Sequence, residues 1–262
     1  MIGGIFWIWY SIGAVLLLGP GVPAVLGFAN GFFLMLFGLY ALVLIKKGLL
    51  KTSLSGRSVS SHGLWRLWAS AACIWTGGMA LEWVGVHSGR LFGTYQYSDI
   101  LGPHWFGVPV TLGFAWIGVV GTAVLLSRDF GQSGFRLAAV RSVQTGVWAV
   151  LLDLVLDPVA YARGFWNWKQ DSGGMSFYGV PASNFLGWFI VSILLSFCLP
   201  HIPAGKTAVH SGTRLYQGML VFFGLLALKE GLWGAVCIAL LGTLAAEGSW
   251  RYARSRQVAD IR

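Results

Sequence analysis

Long apolar runs, broken by short polar stretches, recur along the whole chain. They fall at about 3–19, 24–45, 65–86, 108–127, 138–159, 184–200, 214–229 and 231–249. Each approaches the ~20 residues a helix needs to cross hydrocarbon. The runs are continuous and do not alternate, which disfavours a membrane β-barrel. The pattern predicts an all-α integral membrane protein, a polytopic bundle of eight transmembrane helices. The seventh run is the weakest, so a seven-span bundle is the alternative. The first run has no basic start and leads straight into more apolar sequence, so no cleavable signal peptide is expected.

Composition agrees. The 262 residues are 56% hydrophobic and 10% charged, with a mean hydropathy of +0.70, unlike a soluble domain of this length. The formal charge of +9 could suggest nucleic acid, but its placement argues for topology. With the N-terminus inside, fourteen of the eighteen Lys and Arg residues fall on the inner side and four, Arg90, Arg163, Lys169 and Lys229, on the outer. This is the positive-inside pattern. It predicts a single transmembrane domain over 1–262 in the cell (inner) membrane. Both termini, a basic loop at 46–66 and a basic tail at 250–262 would be cytoplasmic. Contact with anionic lipid follows from the same charge, and no nucleic-acid partner is needed. Cys73, Cys198 and Cys237 form no CxxC pair and read as small apolar core residues.

The tripeptide GVP occurs at Gly21–Pro23, Gly107–Pro109 and Gly179–Pro181, each at the expected outer start of an even-numbered span. Proline suits a first helical turn, where its missing N–H is no loss. Two larger units align around the last two copies. Glu82 lies seven residues before Gly89, and Asp157 seven before Gly164. Pro109 lies seven before Trp116, and Pro181 seven before Trp188. Each unit reads as span, carboxylate, Gly, aromatic loop, GVP, span with Trp. Both run from inside to outside and back, the pattern of parallel two-helix repeats. Chance in a chain rich in Gly and Trp is the competing explanation. The topology would bring Glu82, Asp153, Asp157 and Asn184 to one membrane level.

Asp153 and Asp157 are four apart within an apolar helix and share a face. Two such carboxyls in a low-dielectric setting are not both comfortably ionised, so at least one is expected to hold a proton. A neutral acid beside a carboxylate is an acid–base pair. Intramembrane acids usually serve function, although bonding to neighbouring helices is the structural alternative. Glu82 is a third acid at the same level. Glu230 and Glu247, near Lys229 and Arg251, read as solvated span ends. Tyr95 with Tyr97, and Trp166 with Trp168, are spaced by two, which puts each pair on one side of an extended segment. An interfacial aromatic belt accounts for many such residues, but these flank the acids, and aromatic faces also stabilise cations. Asn184 could hold water or an acid, or simply cap a helix. The five histidines form no HxxH or HxxxH pair, and no dinucleotide or phosphate loop is present. Neither a metal nor a redox cofactor is therefore expected.

Three motifs now stand together: EWxGxxxGxxFGxYxYxxxLGPxxxGVP at Glu82–Pro109, DLxLDPxAxxxGxWxW at Asp153–Trp168, and YGVPxSNFxGW at Tyr178–Trp188. Over about residues 65–200 the chain resembles the membrane carotenoid-biosynthesis family that contains the carotenoid hydratases, of the γ-carotene 1′-hydroxylase and bisanhydrobacterioruberin hydratase types. The resemblance implies addition of water to the terminal C1–C2 double bond of an acyclic carotenoid, giving a tertiary alcohol. The substrate would come from the bilayer, other enzymes of the pathway are candidate partners, and no cofactor is implied. The acids fit that chemistry: Asp153 or Asp157 would protonate carbon and Glu82 would position water. Tyr95, Tyr97, Trp166, Trp168, Asn184 and Trp188 would bind substrate. A carotenoid-binding or transport protein is the rival reading, as is another polyene-protonating enzyme such as an isomerase or cyclase. Oligomeric state has no mark in the sequence.

Overall fold

A computed structural model describes residues 1–53, 61–169, 174–199 and 206–259. Among these residues the chain forms eight α-helices: α1 (Ile2–Leu18), α2 (Ala29–Ser53), α3 (Ser61–Ser88), α4 (Leu112–Leu126), α5 (Gly134–Ala162), α6 (Ala182–Ser196), α7 (Lys206–Lys229) and α8 (Trp233–Ala259). Within them, Ala29–Leu50, Gly134–Ala162 and Trp233–Ser255 are long and apolar enough to cross a membrane. Helices α1, α4 and α6 are apolar but only 15–17 residues long. The outer surface is apolar too: Val15, Leu240, Leu241 and Leu244 are all more than 60% exposed. An apolar outer face of this kind fits a lipid solvent, not water. The segments 54–60 and 170–173, with Ser55 and Ser172, and the last residues of the basic tail lie outside the described residues.

Helix α4 is the centre of the bundle. Every residue from Trp116 to Leu126 is buried, packed by α2, α3, α5 and α7. Small residues allow the close approach that apolar solvent alone would not drive. A Cβ at Gly38 in α2 would strike the backbone of Phe114, and one at Gly118 in α4 would strike the Phe37 ring. Gly146 lets α5 and α6 meet in the same way, against Phe189.

At one end of the bundle the connections form short strands. β1 (Tyr95–Tyr97), in the α3–α4 connection, pairs antiparallel with β4 (Trp166–Trp168), in the α5–α6 connection. Tyr95 lies opposite Trp168, Gln96 opposite Asn167 and Tyr97 opposite Trp166. Two hairpins flank this ribbon: β2 (His104–Trp105) with β3 (Val108–Pro109), and β5 (Ser176–Phe177) with β6 (Val180–Pro181). Their two-residue loops are Phe106-Gly107 and Tyr178-Gly179, with φ of 50° and 81°, and 50° and 83°. Positive φ at both central residues is the type I′ turn that matches strand twist. The last two GVP copies therefore close hairpins, and of the two only the third copy leads directly into a helix. Pro109 sits in β3, three residues before α4, and Pro181 is the N-cap of α6. The first copy precedes a 3₁₀ turn at Ala24–Leu26, and α2 begins only at Ala29.

Other sequence expectations also need correction. Helix α7 starts at Lys206, two turns before the apolar run. Its polar first half is satisfied internally: Arg214 Nη1 donates to Gln217 Oε1 (2.7 Å) and to Glu247 Oε2 of α8 (2.9 Å). Glu230 is exposed, as a span end should be, and pairs with Arg163 (2.8 Å), while the neighbouring Lys229 donates to the carbonyls of Leu17, Leu18 and Gly19 at the end of α1. The cysteines are not core residues. Cys73 and Cys237 are exposed on the bundle surface, and Cys73 Sγ lies 3.1 Å from the half-buried Cys198 Sγ.

Candidate active site

The strand layer and the adjoining helix ends bring the three acids to one end of the bundle, where an apolar cavity of about 260 Å³ reaches two of them, Glu82 and Asp157. Glu82, near the end of α3, is 5% exposed. Tyr95 and Tyr97 are two apart on β1, so both point the same way. Their hydroxyls donate to the same Glu82 Oε2, at 2.5 and 2.7 Å. Trp116 Nε1, from α4, donates to Oε1 at 3.0 Å. Three donors on one carboxyl give it the role of acceptor. Burial, followed by the Glu82 charge, holds both phenols well above their usual range, so they remain protonated donors.

Asp153 and Asp157 lie on the buried face of α5, 0% and 2% exposed. Pro158 follows at once, near the end of the helix, where its ring removes a bond to the carbonyl four residues back. Asn184 of α6 reaches both acids: its Nδ2 donates to Asp153 Oδ2 (3.0 Å) and Asp157 Oδ2 (2.5 Å). It is not a helix cap, since Pro181 takes that place. The Oδ1 atoms of both aspartates are buried and take part in no hydrogen bond. Asp157 lines the cavity, and Asp153 does not. The two residues that share a helical face are therefore unequal in their access to a ligand.

Aromatic rings cover the acids. Trp116 and Trp188, placed alike in the two helix pairs, have ring centroids 4.7 Å apart, tilted by 35°. The Tyr95 and Trp168 rings lie 4.7 Å apart, and those of Tyr97 and Trp166 5.7 Å apart. Trp166, Trp168, Trp188 and Asn184 all line the cavity, and Trp168 Nε1 is a buried donor without a partner. All nine site residues expected from the sequence thus lie in this one region. The phenols of Tyr95 and Tyr97 act there as donors to Glu82, beyond offering aromatic faces. The sequence reading passed over three features. Trp116 carried a signal, its match to Trp188. Phe92, wedged against Gly85 and Gly187, was a fixed position of the first motif, and the cavity walls from α1, α2 and α7 carried no signal. Among the described residues no group of three or more His, Cys, Asp or Glu side chains is placed to hold a metal ion.

The sequence profile of the carotenoid biosynthesis protein family matches residues 30–245. The chain belongs to this family. A curated relative is similar over part of its length: the bisanhydrobacterioruberin hydratase of Haloarcula japonica is 37% identical over 119 residues, 44% of this chain and 39% of that protein. The chain thus matches well under half the length of that relative. No solved structure matches the chain.

Proposed function

We propose that the protein is a carotenoid hydratase: it adds water across the terminal C1–C2 double bond of an acyclic carotenoid and yields a tertiary alcohol. One observation carries the reading. An apolar cavity, in a member of a carotenoid biosynthesis family, ends at two unlike carboxyls: Glu82, tied by three donors, and Asp157, with an open oxygen. Hydration of a trisubstituted alkene needs such a pair. Asp157, as the neutral acid, gives its proton to C2, and the π electrons form the new C–H bond. The cation is left at C1, the more substituted carbon, among the faces of Trp166, Trp168 and Trp188. Water attacks C1 and its extra proton passes back to the Asp157 carboxylate, which restores the neutral acid. The sum is one H₂O added, with nothing oxidised or reduced. Asn184 holds Asp157 in place, and the Trp168 indole N–H is a donor for the incoming water. In this proposal the helix pairs α3–α4 and α5–α6 are parallel repeats in an inner membrane, and the acid end faces outward. The positive-inside charge pattern supports that orientation.

The source of oxygen tests the reaction. Membranes holding the protein, supplied with an acyclic carotenoid under nitrogen and without nucleotide, should yield a product heavier by one water. In heavy-oxygen water the label should appear in the tertiary hydroxyl. Label drawn from molecular oxygen, or a strict need for oxygen or reductant, would overturn the hydratase reading. Carotenoid bound but recovered unchanged would favour a carrier.

A further inference from the structure

Helix α1 lies wholly outside the matched residues 30–245, yet it forms one wall of the cavity. Ile12, Gly13 and Leu16 line it from α1, with Phe33 of α2 and Phe222 of α7 opposite. The wall is firmly built. Trp9 Nε1 donates to the Ala29 carbonyl (3.2 Å), Tyr10 Oη to the Gly218 carbonyl (2.9 Å), and Lys229 closes the helix end on the carbonyls of Leu17, Leu18 and Gly19. Ile12 both lines the cavity and is 51% exposed, so the cavity meets the outer, lipid-facing surface at α1. A Cβ added at Gly13 would meet only the Phe222 ring, at 4.0 Å. Gly13 therefore lines the cavity beside the Phe222 ring, with room for a Cβ in ordinary contact but not for a larger side chain in that direction.

We propose that α1 is the specificity wall of the site: the polyene chain runs from the acids past Gly13, between α1 and α7, and out to the bilayer. This rests on the reading of the ligand as a carotenoid. A long apolar chain is the occupant because the passage is walled by aliphatic and aromatic side chains, is continuous with the acids and opens toward lipid. The lack of a side chain at residue 13 keeps the passage wide enough for a chain to cross it.

The test replaces Gly13 by Trp, with Gly4→Trp as control. Gly4 is exposed on the same helix, with nothing within 4 Å of an added Cβ, and it does not line the cavity. Replacing glycine favours the helix at both positions. Carotenoid carried by the purified protein and conversion in membranes are both measured. Gly13→Trp should lower each by about tenfold or more, the scale of a blocked apolar pocket, while Gly4→Trp matches the parent. A short isoprenoid alkene with the same end group should be converted equally by all three. If Gly13→Trp does not accumulate as folded protein, Leu16→Trp, on the next turn, replaces it with the same expectation. Full-length carotenoid bound and converted equally by Gly13→Trp and Gly4→Trp would overturn the inference and leave the hydratase reading standing. A parent that binds carotenoid but never hydrates it would sink that reading, while pigment retention would still decide the role of α1.

Discussion

Asp157→Asn is the most direct test of the chemistry. The amide has nearly the same volume, and its oxygen still accepts from Asn184 Nδ2, so the bond now at 2.5 Å survives. What disappears is the acidic proton of the one α5 carboxyl that lines the cavity. Loss of a general acid costs about 10²–10⁴ in rate, and at about 1.36 kcal/mol per factor of ten, 100-fold is about 2.7 kcal/mol of barrier. Asp153→Asn should behave differently. Asp153 is fully buried, lies off the cavity wall and reaches the site through a 3.0 Å bond to Asn184 and a side-chain hydrogen bond with Asp157. An amide oxygen preserves that acceptor, so the loss reduces to weakening one hydrogen bond and should stay near tenfold, about 1.4 kcal/mol. The assay is the initial rate of tertiary alcohol formation in membranes, read by chromatography with mass detection. Size-exclusion profiles and bound pigment confirm that each variant is folded. An Asp157→Asn rate within about threefold of the parent, a difference of under 1 kcal/mol, would refute the assignment. Equal losses in the two variants would refute the division between them.

Two further outcomes follow from the same geometry. Tyr97→Phe removes one of the two phenols on Glu82 Oε2. It should lower stability in detergent by about 1–3 kcal/mol, read from thermal unfolding by tryptophan fluorescence, and should also slow turnover; an unchanged midpoint would show that Glu82 does not depend on it. For orientation, single cysteines at Ser55 and Ser172, in a background without the native cysteines, should react with a membrane-impermeant reagent from opposite sides. Labelling of both from one side would remove the proposed topology.

The helices were legible because continuous apolar runs of spanning length leave few alternatives in lipid. Errors lie where local chemistry is atypical. Phe106-Gly107 and Tyr178-Gly179 form I′ turns with an aromatic residue at positive φ, a place where Asn or Asp is the usual signal. The Gly107–Pro109 copy consequently read as a helix start, although α4 begins only at Leu112. The polar opening of α7 read as loop because its Arg214 finds Glu247 in α8 only after folding. At the site, the i, i+4 spacing put both aspartates on one face, and the period of two aligned each aromatic pair. Which acid meets the cavity, and that α1 walls it, depend on contacts between residues some 200 apart in sequence, such as Tyr10 with Gly218. Contacts of that kind leave no periodic trace.

If the two helix pairs are repeats, the fold supplies two like positions for two acids, and hydration needs them unlike. The difference traces to the strand pair across the site. At matching places in the β1–β4 register one unit carries Tyr95 and Tyr97, and the other Trp168 and Trp166. A phenol is small enough, and ends in the right group, to donate to a carboxyl beneath it, and both tyrosines do so to Glu82. An indole offers a broad face and one N–H on its flank, and the Trp168 N–H reaches no carboxyl. One acid is therefore fastened by three donors, while the other keeps a buried oxygen without a hydrogen bond. An acceptor and an acid can arise in this way from a near-symmetric frame by the choice of Tyr on one strand and Trp on its partner.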